Sequence, residues 1–480
     1  MNTKNHIKVW SVIGLMLAIL SIESCKKLVQ IPANLPNQVV TAQVFEDSAD
    51  AIAGVVNLYT AFSGYPSITN LSTGGMTVLS GLSADELEEA VGDGLDYECY
   101  INNIPVSDPS GTLTFLWRNE YSGTSGIYDI NACIEGMTAS TGISAALKNQ
   151  LIGECEVMRA FYYFNLVNLW GGVPLETTTS YQVNESLPRA SIQAVYTQII
   201  ADLKDAQTKL NAVYPSTGRA RPNIYTASAL LAKVYLYQGD YSDAYAQSNA
   251  VIGSGLYSLV ADLNQVFLDG STEAIWQIPA YGTIVNYPSV DGRLFVPYSS
   301  TNTPIYWLTN VQLDAFESGD QRAVDWLSYN TIGGAQYYYP YKYKNYQING
   351  NATDEDYMIF RLAEQYLIRA EAEANGQGGG ATAAIADLNT IRARAGLAAT
   401  TVTPAAGLTQ LMAAIMHERQ TELFCEWGNR WLDLKRTGTV QTVLAPEKGG
   451  PWLQDAHASL FPIDQTDINY NPQLVQNPGY

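Results

Sequence analysis

The sequence predicts a mostly α-helical protein: a tetratricopeptide-like scaffold of paired helices, an α-α superhelix, carrying one long irregular, loop-rich insert. Three observations lead there. Apolar residues recur at helical spacing along much of the chain. Two paired-helix units of about 35 residues each turn on glycines. The periodicity then fades in one aromatic-rich stretch near the middle.

The N-terminus reads as an export signal. Lys4 and Lys8 precede roughly 14 mostly apolar residues from Val9 to Ile22, too few for a membrane span of about 20. Small Ser24 then stands before Cys25, which resembles a bacterial lipoprotein signal in which residues 1–24 are removed and the Cys25 thiol is acylated. The expected organisation is this signal followed by a single 25–480 domain. Its helix pairs run to about 260, the insert covers about 261–355, and a helical C-terminal part covers 356–480.

In chain order, the first strong helix lies in "ISAALKNQLIGECEVMRAFYYFNLVNLWGGVPL", where Leu147, Leu151, Cys155, Met158, Tyr162, Leu166 and Leu169 form one stripe. Gly171 and Gly172 end it and Pro174 blocks its resumption. "SIQAVYTQIIADLKDAQTKL" repeats the pattern. "NIYTASALLAKVYLYQGDYSDAYAQSNAVIGSG" is a helix pair broken at Gly239-Asp240. "MIFRLAEQYLIRAEAEANGQGGGATAAIADLNTIRARAG" has the same plan, broken between Gly376 and Gly380. Neither helix of such a unit buries its apolar face alone, so the units are expected to stack.

Residues 274–346 differ. They hold 16 aromatics in 73 residues, about twice the 11% of the whole chain, with nine charged residues and many Asn, Gly, Ser and Thr. An irregular aromatic segment of this length points to a surface function rather than a linker. For any single ring, packing onto the helices is the competing account.

Composition narrows the function classes. Hydrophobic content of 47% with 15% charged residues marks a folded chain. A net charge of −20 with no basic run excludes nucleic acid as a partner. Cys99, Cys133, Cys155 and Cys425 show no C-x-x-C spacing, and with three histidines in all they suggest no metal site; Cys133 and Cys155 read as small core residues. "MHERQTE" begins like a zinc-peptidase helix but has Thr421 at the second ligand position. No catalytic pattern and no cofactor motif stands out. The dense stretch Glu418, Arg419, Glu422, Arg430, Trp431 and Asp433, with Arg159, Tyr162 and Phe164 on the long helix, reads as structural ion pairing that fixes helix register.

Several separated stretches resemble the SusD/RagB family of Bacteroidetes surface lipoproteins: "SADELEEA", "LWRNEYSGTSGIYDINACIEGM", "LIGECEVMRAFYYFNLVNLWGGVPL", "DLNTIRARAG", "HERQTELFCEWGNRWLDLKRTG" and "LFPIDQTDINYNPQLVQNPGY". They occur in the family's order. The resemblance implies lipidation at Cys25, location on the outer membrane facing outward, an oligosaccharide ligand, a SusC-like TonB-dependent β-barrel partner and no catalysis. It also implies ligand-binding loops in two regions. By residue type and position the early candidates are Tyr65, Tyr97, Tyr100 and Asn102, and the middle ones Tyr281, Asn286, Tyr287, Tyr306, Trp307 and Trp326. Trp307 leads, because it offers a wide face after the polar run "SSTNTPIY". The alternatives are an envelope glycan-degrading enzyme and a helical-repeat adaptor for proteins.

Overall fold

The computed structural model describes residues 44–62, 64, 66–90, 92–123, 125–279, 289–346, 354–453 and 456–480. Cys25, Tyr65, Tyr281, Asn286 and Tyr287 lie outside the described residues. The principal helices are α1 (Ser48–Leu58), α2 (Gly75–Ser83), α3 (Gly94–Tyr100), α4 (Thr112–Ser122), α5 (Ile127–Ala139), α6 (Ala145–Trp170) and α7 (Ile192–Lys209). They continue with α8 (Ile224–Tyr237), α9 (Tyr241–Gly253), α10 (Leu362–Ala374), α11 (Gly380–Arg394), α12 (Leu408–Glu422) and α13 (Asn429–Arg436). From α5 to α11 each helix packs on the next, and α12 covers α10 and α11. The expected helix-pair scaffold is present, and its stack is continuous in space although the chain leaves it after α9 and returns at α10.

Local chemistry sets the helix ends. Ser144 caps α6 by accepting the Leu147 N–H at 3.3 Å, and Gly171 leaves it at φ 77°. Asn223 and Thr226 form a reciprocal capping box at the start of α8. Asp240 caps α9, as the Gly239-Asp240 break predicts.

The stripe expected on α6 is wider than one face: 19 of its 26 residues are buried. The reason is its position, with α5, α7 and α8 all packed against it. Its buried charges each meet a neighbouring element. Arg159 donates to both Asp202 oxygens at 2.7 and 2.9 Å and to Asn131 at 2.8 Å, while Glu154 accepts from Arg221 at 2.7 Å and from the Tyr59 hydroxyl at 2.7 Å.

The middle of the chain is less irregular than the sequence suggests. Strand β2 (Ala274–Pro279) pairs antiparallel with β6 (Asp356–Arg361), β1 (Leu87–Glu89) with β3 (Tyr306–Leu308), and β4 (Leu327–Ile332) forms a hairpin with β5 (Ala335–Pro340) around Gly333 and Gly334. "MIFR", read as the opening turn of α10, is strand instead. All six β6 residues are buried, so both faces are covered and no apolar–polar alternation marks the strand.

A buried ionic network ties this region to α12. Arg361 bonds Glu273 at 2.9 Å, Glu426 at 2.7 Å and Glu422 at 2.5 Å. Arg394 bonds Glu273 at 2.8 Å and also reaches Glu422. Arg322 bonds Asp320 at 2.8 Å and Glu418 at 2.7 Å, and Lys342 donates to Glu426 and to the Phe424 carbonyl. Burial alone would push Glu422 and Glu426 upward, but the surrounding cations hold both below the ordinary carboxylate range. Nearby, Arg419 binds Asp433 at 2.7 Å and Arg436 binds Glu371 at 2.6 Å, so the charged stretch has the structural role expected of it. The four described cysteines are free and buried.

Removing one partner from such a network strands charges in the interior. Arg361→Met should therefore cost about 3–5 kcal/mol of stability in urea unfolding. A loss under about 1 kcal/mol would mean that Arg394 and Lys342 suffice for these carboxylates.

Candidate functional site

The acidic stretch "SADELEEA" is divided by the fold. Asp85 faces inward and takes a bidentate pair from Arg430 at 2.6 and 2.8 Å. Glu86 is fully buried, accepting the Cys425 N–H at 3.1 Å through one oxygen. Burial pushes its carboxyl up to about 8, and its second oxygen has no partner among the described residues. The chain then enters β1, where Glu88 and Glu89 are only half-buried. Thr309 fixes this entry by donating its N–H to the Glu86 carbonyl at 3.0 Å and its hydroxyl to that of Asp85 at 2.5 Å.

Antiparallel pairing places Glu88 directly opposite Trp307. The half-buried indole donates its Nε1–H to the Glu88 carboxylate at 3.1 Å. Tyr337 of the β4–β5 hairpin meets its ring edge-on, centroids 5.1 Å apart at 79°. Asn330 holds the hairpin by donating to the Ser299 and Asn302 carbonyls at 2.9 and 2.7 Å. Half-buried Tyr100, on α3, lies in the field of Glu88, Glu89 and Tyr97, and Lys448 sits 5.1 Å from its ring centroid. Trp307 thus touches Glu88, Tyr100 from the other expected region lies in the field of the same carboxylate, and Tyr97 lies one turn earlier on α3. This corner presents aromatic surface beside the Glu88 carboxylate, which suits a ligand with an apolar face and hydroxyl donors.

Three candidates are placed elsewhere. Trp326 is 0% exposed. It donates to the Leu263 carbonyl at 3.0 Å and packs among Phe267, Phe424 and the cations Lys342, Arg361 and Arg394. It roofs the ionic network and offers no free face. Tyr306 is 4% exposed because strand alternation turns it away from Trp307, into contact with Phe295 and Asp96. Asn102, also 4% exposed, adopts a left-handed φ of 53°. Its amide joins the Ser83 carbonyl at 2.9 Å to the Trp452 indole at 2.9 Å, a structural role.

Sequence reasoning missed Glu88 and Tyr337 as members of this corner. The hairpin was readable: Gly333-Gly334 between two β-branched and aromatic runs is a tight-turn signal. It also places Tyr329 and Tyr338 opposite each other on the outer face, rings 5.0 Å apart. Among the described residues no group of three or more His, Cys, Asp or Glu could hold a metal ion. Glu418 and Glu422, which would draw attention in an enzyme, are held by guanidinium groups.

Comparison with known proteins agrees with this architecture. Residues 325–480 match a model described as "SusD family", and residues 87–236 one described as "Starch-binding associating with outer membrane". SusD-like protein P25 of Formosa agariphila is 23% identical over 99% of this chain and 100% of its own length. The starch-binding protein SusD of Bacteroides thetaiotaomicron is 26% identical over 74% of this chain and 77% of its own. Among solved structures, a SusD superfamily protein from Bacteroides vulgatus aligns with a TM-score of 0.77 at 20% identity, covering 90% of this chain and 99% of that one. A laminarin-binding SusD-like protein aligns at 0.72 and 24%, with the same coverage.

The buried acid behind this corner gives a pH test. Its folded value of about 8 lies above the unfolded 4.5, so its contribution to stability is fully present below 4.5 and lost as pH rises through about 8. Glu86→Gln should therefore gain stability relative to the parent between about pH 5 and 8, by up to about 1.4 kcal/mol per pH unit in urea unfolding. A difference that does not change with pH would refute the raised value.

Proposed function

This chain belongs to the SusD/RagB family, and on that premise we propose that it is a non-catalytic, glycan-binding lipoprotein of the outer membrane. It captures oligosaccharide outside the cell and delivers it to a SusC-like TonB-dependent β-barrel. The observation that carries the binding role is that half-buried Trp307 stands opposite Glu88 and bonds its carboxylate, with Tyr337 edge-on to the indole. The names of a starch-binding and a laminarin-binding relative support a glucan-type ligand.

The physics suits capture and release. A pyranose has an apolar face that can lie on the indole, while its hydroxyls donate to Glu88. Burying a large apolar side chain is worth roughly 1.5–3 kcal/mol, part of which is lost to ordering the sugar. A few such contacts give a Kd on the order of micromolar to millimolar, loose enough for transfer. Trp307→Ala should weaken binding to laminarin or amylose about 10- to 100-fold with little change in Tm. Trp326→Ala should cost about 3–5 kcal/mol of stability. A Trp307→Ala protein that melts far below the parent yet binds normally would sink the assignment.

Cys25 supplies the membrane attachment in this reading, through more than one acyl chain, because a single chain binds only marginally. The net charge of −20 does not favour direct contact with anionic headgroups. Cys25→Ala should shift the protein to the soluble fraction or leave it unprocessed, and detergent extraction of the parent should co-purify a β-barrel. Purification of the native lipoprotein without any barrel would count against the delivery role.

A further inference from the structure

A cavity of about 180 Å³ opens between α4, the segment around Glu176 and Glu185, and the short helix Gln465–Tyr470. Its floor is aromatic: Trp117 and Tyr121 are both buried, with ring centroids 5.4 Å apart. One wall is Tyr470, an aromatic ring left 76% exposed. That ring is held in place. The Arg118 guanidinium stacks 5.0 Å from its centroid, and the Arg118 Nε–H donates to Asp467 Oδ1 at 2.9 Å.

The polar lining is rich in acceptors that lack donors. Asp467 is only 6% exposed, yet its Oδ2 has no partner among the described residues, and neither has the buried Oδ1 of Asn184. The carboxylates of Glu176 and Glu185 also line the cavity, and no ion pair among the described residues engages them. Of these three acids, only Asp467 is engaged by the Arg118 guanidinium. Burial raises the Glu176 carboxyl to about 7, as expected of an acid without a counter-ion.

We propose that this cavity is a second binding site, separate from the Trp307 corner, for a single sugar ring that carries a protonated amine. The volume falls below the roughly 300–1,000 Å³ of pockets for drug-sized ligands, which suits one ring rather than a chain. The Tyr470 face receives the apolar side of the ring. The ammonium supplies three donors and the missing positive charge to Glu176 and Glu185, and ring hydroxyls supply donors to Asn184 and Asp467. A neutral hexose offers the hydroxyls but leaves the two acids unpaired.

The test is saturation-transfer NMR on the full-length protein with D-glucosamine, and with D-glucose and N-acetyl-D-glucosamine as neutral counterparts. D-glucosamine should bind at least about tenfold more tightly than either neutral sugar. Its binding should fall about tenfold in Tyr470→Ala and in a Glu176→Gln, Glu185→Gln double variant. Exposed Tyr470 can be truncated without touching the core. Trp307→Ala should leave this binding unchanged while weakening the glucan, so failure at one site is distinguishable from failure at the other. Equal binding of the neutral sugars, no D-glucosamine binding, or binding indifferent to Tyr470→Ala would each overturn the proposal.

Discussion

The fold depends on neutralising a cluster of charges that has no access to water. Arg322, Arg361 and Arg394 come from the middle insert, the end of β6 and α11, while Glu418 and Glu422 come from α12 and Glu426 from the turn after it. A buried charge without a partner costs several kcal/mol, so these segments must arrive together or not at all. Each arginine meets two or more carboxylates, and their planar donor forks fix angle as well as distance. The loop-rich middle is thereby clamped to the helical scaffold by charge, with Trp326 laid over the cations. What resembles a loose appendage in sequence has a rigid base.

That base extends to the candidate site through a few contacts. Asp85 and Glu86 end the segment after α2; Arg430 of α13 holds Asp85, and the Cys425 N–H of the turn between α12 and α13 holds Glu86. The turn itself is strained: Cys425 and Trp427 both sit at φ 50°, a left-handed conformation that side chains with a Cβ rarely adopt. Surrounding bonds over-determine it, since the Trp427 N–H reaches Thr77 at 3.2 Å and its indole the Met358 carbonyl at 2.8 Å. Two residues beyond Glu86, Glu88 faces Trp307. One acidic run therefore serves the interior at one end and the corner at the other.

The helical scaffold was legible because its signals are local. Glycine breaks, caps and 3.6-residue periodicity all lie within a few residues of the ends they determine. The strands were not, for identifiable reasons. β1 and β3 are three residues each, too short for any period, and β6 is buried on both faces. Of the aromatic candidates, Trp307 and Trp326 share an insert and a residue type. Only their three-dimensional neighbours separate a half-buried ring beside a carboxylate from one sealed over arginines. Asn102 misled for a related reason, because its polar amide looks exposed in sequence but bridges two buried groups.

The packing of α9 directly on α10 has a further consequence. The chain leaves the stack at Gly253 and rejoins it at Leu362, so everything between is an excursion from an uninterrupted spine. Closing such an excursion costs entropy that grows only logarithmically, about 0.6 kcal/mol for each doubling of length. Lengthening or shortening the excursion away from its ionic clamp therefore changes stability little. The helices can keep one geometry while the intervening segment is rebuilt in length and composition, which is the latitude a lineage needs to meet new ligands. The cost falls on kinetics instead. The α9–α10 contact spans a large sequence separation, so joining the two halves of the spine should be among the slower steps of folding.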